Sequence, residues 1–223
     1  LPQRFVRFAT AMGTGDFGVS YKSRRLISQD LAVYLPATLE LALFSTLLAL
    51  LLGIPTGVIA AARRGSWLDR MGSLGSVLSV AMPTFFFAML LQLVFSQWFG
   101  ILPLSGRLSQ QISISDPLPF VTGFNLIDAV IAARPAVVLD ALAHLILPAL
   151  TLAAYPAGIA MRLTRAAMVE ILARRHIIAA RALGLSAPRI LFGHALPNAV
   201  GPALTVIGLS FAYALTGAVL VEI

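Results

Sequence analysis

Cysteine is absent from the 223 residues, which excludes disulfides, thiolate metal sites and cysteine nucleophiles. Charge is scarce as well: charged residues make up 11% of the chain, where a soluble domain carries about a quarter. No G-x-x-x-x-G-K-[ST] stretch occurs, so a phosphate-cradling loop is not expected. There is no H-E-x-x-H, and His144, His176 and His194 are too scattered to argue a metal site. No catalytic residue set emerges. A polar Gly/Ser/Pro linker is missing too, so one domain covering residues 1–223 is expected. Residues 1–35 hold no apolar core of a signal peptide, and none is expected there.

What the chain does have is apolar length. The hydrophobic fraction is 59% and the mean hydropathy +0.91, which indicates a membrane protein whose solvent is lipid. Four runs approach the roughly 20 residues needed to cross about 30 Å of hydrocarbon. They are Ala37 to Ala62, Ser76 to Phe99 with Trp98 at an interfacial position, Ala141 to Met161, and Ala199 to Val221. An all-α, polytopic bundle follows.

Arginine placement predicts the orientation. Arg63, Arg64 and Arg70 separate the first two runs, and Arg162, Arg165, Arg174, Arg175, Arg181 and Arg189 separate the last two. The long segment between the second and third runs holds only Arg107 and Arg134, against Asp116, Asp128 and Asp140. The positive-inside rule puts the first and last connections in the cytoplasm and the long one outside. Against this pattern, Arg4, Arg7, Lys22, Arg24 and Arg25 precede the first run on the side assigned to the exterior. The net charge of +7 fits cytoplasmic arginines, and nucleic-acid binding is not expected.

Single residues inside the runs carry further expectations. Glu40 follows Pro36 and reads as an acid in the first turn of a helix. His144 reads as an interfacial or packing residue near a helix start, in preference to a nickel ligand. Glu222 is either a contact for substrate or partner or a plain end-of-helix charge. Pro55, Pro83, Pro148, Pro156 and Pro202 are candidates for bends that shape a path. Gly53 and Gly57, at small-x-x-x-small spacing, predict close helix packing within the chain or against a partner.

The most heavily punctuated segment is "HIIAARALGLSAPRILFGHALPN", His176 to Asn198. Met168, Ile171, Leu172, Ile178 and Ala182 recur at helical spacing. Gly184 is placed like a left-handed C-terminal cap, Ser186 suits an N-cap, and Pro188 is allowed in the following first turn. Two short helices around a tight break are predicted. An amphipathic connector holding lipid phosphates and a docking element for a cytoplasmic partner both fit this pattern.

"AARALG" followed by "HALPNA" resembles the cytoplasmic EAA loop of permease subunits of bacterial ATP-binding-cassette importers. Ala179, Ala180, Gly184, Leu196 and Pro197 stand at the motif positions. Ile178 replaces the usual Glu and His194 the usual Ile, as is common in the branch handling dipeptides, oligopeptides and nickel. "GDFGVSY", "LPATLELAL", "GIPTGVIAAARRGSWLDR", "LPLSGR" and "LILPALTLA" are similar to the first permease subunit of that branch.

The resemblance implies a type I importer permease with about four of six spans present, the first and last being absent. A coupling loop over about residues 162–197 is implied, with Ile178, Ala179, Ala180, Arg181, Gly184, Leu185 and Pro188 facing an ATPase. The implied partners are a second permease subunit, a different chain as in that branch, two ATPases that bind ATP and magnesium, an extracytoplasmic substrate-binding protein and the bilayer. No cofactor is implied in this chain. The implied setting is the bacterial inner membrane, and the implied cargo is a peptide, with nickel or another small solute as the near alternative. An ATP-independent carrier or an intramembrane enzyme would need paired broken repeats, an acid relay, or a nucleophile with its base, and the sequence displays none of these.

Overall fold

A computed structural model describes residues 2–21 and 24–221, without the side chains of residues 2–4, 7–9 and 213–221; Glu222 lies outside the described residues. In chain order the helices are α1 (Pro2–Gly13), α2 (Ile27–Ala62), α3 (Trp67–Ala81), α4 (Thr84–Leu91), α5 (Gln110–Ser115), α6 (Asn125–Ile131), α7 (Pro135–Leu172), α8 (Arg175–Ala182), α9 (Leu196–Ala199) and α10 (Gly201–Val221). Single π-helical stretches, Gln92–Trp98 and Arg189–Ala195, extend α4 and precede α9.

Among the described residues, two helices are unbroken, long and apolar enough to cross a bilayer: α2 and α7, of 36 and 38 residues. Counting each bent pair as one span raises the total to four. The second expected run is not a straight helix, because the chain turns by 115° between α3 and α4. Pro83 forces this: the residue before a proline is pushed out of the helical region, and Met82 sits at φ −77°, ψ 132°. Pro202 likewise lies at the start of α10, after a 56° bend. Pro55, Pro148 and Pro156, in contrast, are accommodated inside continuous helices.

The first run also differs from expectation. α2 begins ten residues earlier, at Ile27, with Asp30 in its first turn where an acid complements the helix dipole. Pro36 therefore lies inside the helix, and Glu40 is not a residue of its first turn. At the other end of the chain, α7 runs unbroken through Met168, Ile171 and Leu172. Those three residues belong to the long helix, and the break falls at Ala173 and Arg174.

α2 and α7 lie side by side and run in the same direction. A Cβ built on Gly53 would sit 2.7 Å from the Ala157 carbonyl oxygen and 2.9 Å from Ala160 Cβ. One on Gly57 would lie 2.7 Å from both the Met161 carbonyl oxygen and Thr164 Cβ. The glycine pair thus serves packing within this chain. Alanines complete the seam: Ala42, Ala49, Ala149, Ala153 and Ala160 are buried. Small side chains are what a lipid-embedded interface selects, since van der Waals contact has to replace the hydrophobic drive.

α3 runs against α7 in the opposite sense. Gly72 abuts Met161, and Gly158 abuts Ser76 and Val80. Ser66 caps α3 by accepting from the Asp69 N–H, and the Asp69 carboxylate in turn accepts from the Gly65 N–H at 2.9 Å. Arg165 of α7 donates Nη2–H to Asp69 Oδ2 at 2.8 Å, locking the two helices together where the arginine-rich connections meet. The segment 99–134 lies at the opposite end of the bundle.

Candidate functional site

The arginine-rich end is built around one apolar cluster. Val58 and Ala61 of α2 meet Met168 and Ile171 of α7, Ile177 and Ala180 of α8, and Ile190, Ala195 and Ala199 beyond it. An isolated helix of eight residues is unstable in water, so α8 depends on this anchorage. Burying an Ile177-sized side chain contributes about 1.5 to 3 kcal/mol.

The end of α8 is closed by hydrogen bonds that need a glycine. Gly184 takes φ +78°, a conformation that costs other residues about 1 to 2 kcal/mol. Its N–H donates to the Arg181 carbonyl at 3.0 Å, while the Leu185 N–H reaches back to the Ala180 carbonyl at 3.2 Å. This is the Schellman pattern, completed by Leu185 and Ala180 sharing the same apolar cluster. After it the chain re-enters helix, with the Ser186 carbonyl accepting from the Ile190 N–H.

The seven residues singled out from sequence divide accordingly. Ala180 is buried and Leu185 half-buried, so both hold α8 in place. Ile178, Ala179, Arg181, Gly184 and Pro188 are exposed. Leu183 and Phe192 were not anticipated, yet they are 80% and 58% exposed, against 56% for Ile178. Helical spacing gives no signal for Leu183, which follows the buried Ala180 by three residues, a spacing that shares a face within a helix; its exposure comes from its place at the C-cap of α8. The result is a short, rigid helix presenting apolar knobs among arginines, a form suited to entering a groove on another molecule.

A second polar construction stands at the opposite end. Glu40 is buried on α2 and accepts from Arg107 Nη2 at 3.0 Å, from the Asn125 N–H at 3.2 Å and from the Leu126 N–H at 2.7 Å. It therefore serves a helix N-terminus, but that of α6, not its own. Arg107 also donates to the Gly123 carbonyl at 3.1 Å. Asp140 accepts from the Ser109 N–H at 2.7 Å, and Arg134 pairs with Asp116.

Asp128 organises the loop before α6, accepting from the Thr122 hydroxyl and from the N–H groups of Val121, Thr122 and Gly123. Burial pushes its carboxyl up, but the Thr122 hydroxyl and those N–H donors outweigh burial and hold it below the usual carboxylate range. Beneath this segment is a cavity of about 570 Å³. Glu40, Arg107 and His144 were read one by one from sequence, and only the fold brings them to one wall.

A family described as "binding-protein-dependent transport system inner membrane component" matches residues 53–223. The chain belongs to that family. It is an integral membrane protein and a helical member of this permease class. A probable D,D-dipeptide transport system permease protein of Escherichia coli K12 is 42% identical over 219 residues, which is 98% of this chain and 64% of that relative. A dipeptide transport system permease protein of the same organism is 38% identical over 99% of this chain and 65% of its own length. A di/tripeptide transport system permease protein of Pseudomonas aeruginosa is 40% identical over 100% of this chain and 65% of its own length. The chain thus spans 64 to 65% of the length of these relatives.

Proposed function

We propose that this permease is a translocation-pathway subunit of an ATP-driven peptide importer of the bacterial inner membrane. α8 and the turn after it form its contact with an ATPase. The observation that carries the reading is the rigid mounting of α8: Ile177, Ala180 and Leu185 are sunk into the cluster that joins α2 to α7, while Ile178 and Leu183 stand clear of it. A load applied to the exposed face reaches both long helices through packed side chains. Closure of an ATPase pair against two such helices would rock the long helices as bodies, which is alternating access.

The peptide-named relatives favour peptide over nickel as cargo. A cleft of about 470 Å³ between α2, α7, α10 and the start of α4, bordered by the hydroxyl residues Ser45, Thr46, Thr84, Thr151, Tyr155 and Ser210, gives polar, uncharged groups at span depth. Such groups can meet peptide amides without selecting a side-chain charge. The partners in this reading are a second permease chain, two ATPases carrying ATP and magnesium, and an extracytoplasmic binding protein.

Leu183→Arg, made in the full-length subunit and co-expressed with the ATPases and second permease, tests the reading. Leu183 is nearly free of the fold, so membrane insertion and thermal stability are expected to stay at wild-type values while ATPase co-purification and dipeptide uptake are lost. Gly184→Arg would add backbone strain and is the less clean probe. Intact assembly and uptake in Leu183→Arg would reject α8 as the coupling element.

A further inference from the structure

The cavity under segment 99–134 is more than a packing gap. Its wall includes Tyr34, Glu40, Gln92, Arg107 and His144, among apolar groups from α2, α4 and α7. At about 570 Å³ it falls in the range of small-ligand sites.

The polar groups differ in what they have left to offer. Glu40 is occupied by three donors. Among the described residues Arg107 uses only Nη2, for Glu40 and Gly123, and its side chain is 43% exposed, which leaves Nε and Nη1 for an anion. The His144 side chain is 6% exposed. Its Nδ1 lies 2.8 Å from the Asp140 carbonyl oxygen, so Nδ1 carries the proton and Nε2 of the neutral ring is an acceptor. Nε2 makes no hydrogen bond among the described residues. Gly106, at φ +95°, brings the loop against His144, its notional Cβ lying 3.8 Å from Cδ2, the carbon next to Nε2.

The wall thus holds one guanidinium with spare donors and one buried imidazole with a bare acceptor. The Asp140 carboxylate lies 3.6 Å behind that imidazole. Glu40 and Arg107 cancel in formal charge and Asp140 leaves one negative charge behind the imidazole, so a lone anion gains little by entering. A molecule carrying both charges gains at both ends.

We propose that this cavity is a subsite for small zwitterionic peptides, taking the carboxylate at Arg107 and the ammonium at His144 Nε2. The proposal rests on the peptide reading above and adds a binding position inside a single permease subunit. Gln92, whose Nε2–H donates to the Leu104 carbonyl at 3.4 Å, keeps its oxygen as a second acceptor for the ammonium.

The experiment uses the full-length complex in lipid nanodiscs without nucleotide, with radiolabelled dialanine as the probe and N-acetyl-dialanine and dialanine amide as competitors. Wild type is expected to bind dialanine, and each end-blocked competitor to compete at least about tenfold less well, as befits losing a hydrogen bond to a charged group. His144→Phe keeps the volume and removes the acceptor; its affinity should fall about tenfold, with KM for uptake rising and kcat retained. Ala88→Phe, which fills the cavity without touching a hydrogen bond, should abolish binding and serves if His144→Phe fails to fold. Equal competition by the blocked peptides, or wild-type KM in both variants while uptake persists, overturns the subsite and leaves the importer reading standing. Absence of dialanine uptake by the wild-type complex overturns the importer reading itself, and the subsite with it.

Discussion

Gly57→Ala tests how α2 and α7 are joined. The added methyl would begin 2.7 Å from the Met161 carbonyl oxygen and 2.7 Å from Thr164 Cβ, where ordinary contact starts at 3.4 Å. Neither obstacle is the loose end of a flexible chain: one is helix backbone and the other a β-branched carbon. The helices therefore have to separate locally, and overpacking of this kind costs about 1 to 3 kcal/mol. Alanine's better helix propensity returns about 1 kcal/mol, leaving a net loss of up to about 2 kcal/mol. Gly75→Ala on α3 is the matched control, since nothing lies within 4 Å of its notional Cβ and only the propensity gain applies.

Thermal unfolding of the purified full-length subunit in detergent reads both variants. At about 2 to 4 °C per kcal/mol for a chain of this size, Gly57→Ala should melt several degrees below wild type and Gly75→Ala at or slightly above it. A Gly57→Ala melting point equal to that of Gly75→Ala would refute the close α2–α7 seam. Unchanged melting with loss of the second permease chain would assign the glycine face to the partner.

Glu40→Ala leaves Arg107 and the two N–H groups at the start of α6 without their acceptor, and removing one member of a buried pair costs about 3 to 5 kcal/mol, reduced here because Arg107 is partly exposed. Faster hydrogen exchange in residues 123–131 is the expected signature, with residues 175–190 unchanged. Asp128 has a folded-state carboxyl held below its unfolded value, so its contribution is present above about pH 4 and lost as pH falls through the lowered value. Exchange in residues 120–128 should be flat from pH 8 to 5 after correction for intrinsic rates, and should rise in acid; in Asp128→Asn the acid step should vanish.

The long apolar runs could be read from sequence because their signal is the transfer of whole segments into lipid. α2, α7 and the Gly184 cap each follow from local chemistry: apolar length in the first two, a required positive φ in the third. The start of α2 was not legible in this way. Asp30 and Pro36 end an apolar count, yet an acid in a first turn and a proline three turns in are both compatible with helix. The bend at Met82 was half legible, since Pro83 marks the place while the angle depends on how α3 and α4 each pack on α7. Glu40, Arg107 and His144 are 67 and 37 residues apart along the chain, and no local rule joins them. On α8, periodicity suggested the helix, but only the apolar cluster decides that Ala180 faces inward while Leu183 faces outward.

α7 touches the α8 cluster through Met168 and Ile171 and reaches the far cavity through His144 and Leu147 without interruption. From His144 to Leu172 its axis is about 42 Å long at 1.5 Å per residue. As a rigid rod pivoting near Leu172, a tilt of about 10° carries His144 sideways by about 7 Å, more than one helical pitch. A displacement too small to unpack Met168 and Ile171 from the α8 cluster beside the pivot is thus magnified, by leverage alone, into one large enough to open or shut a chamber at the other surface.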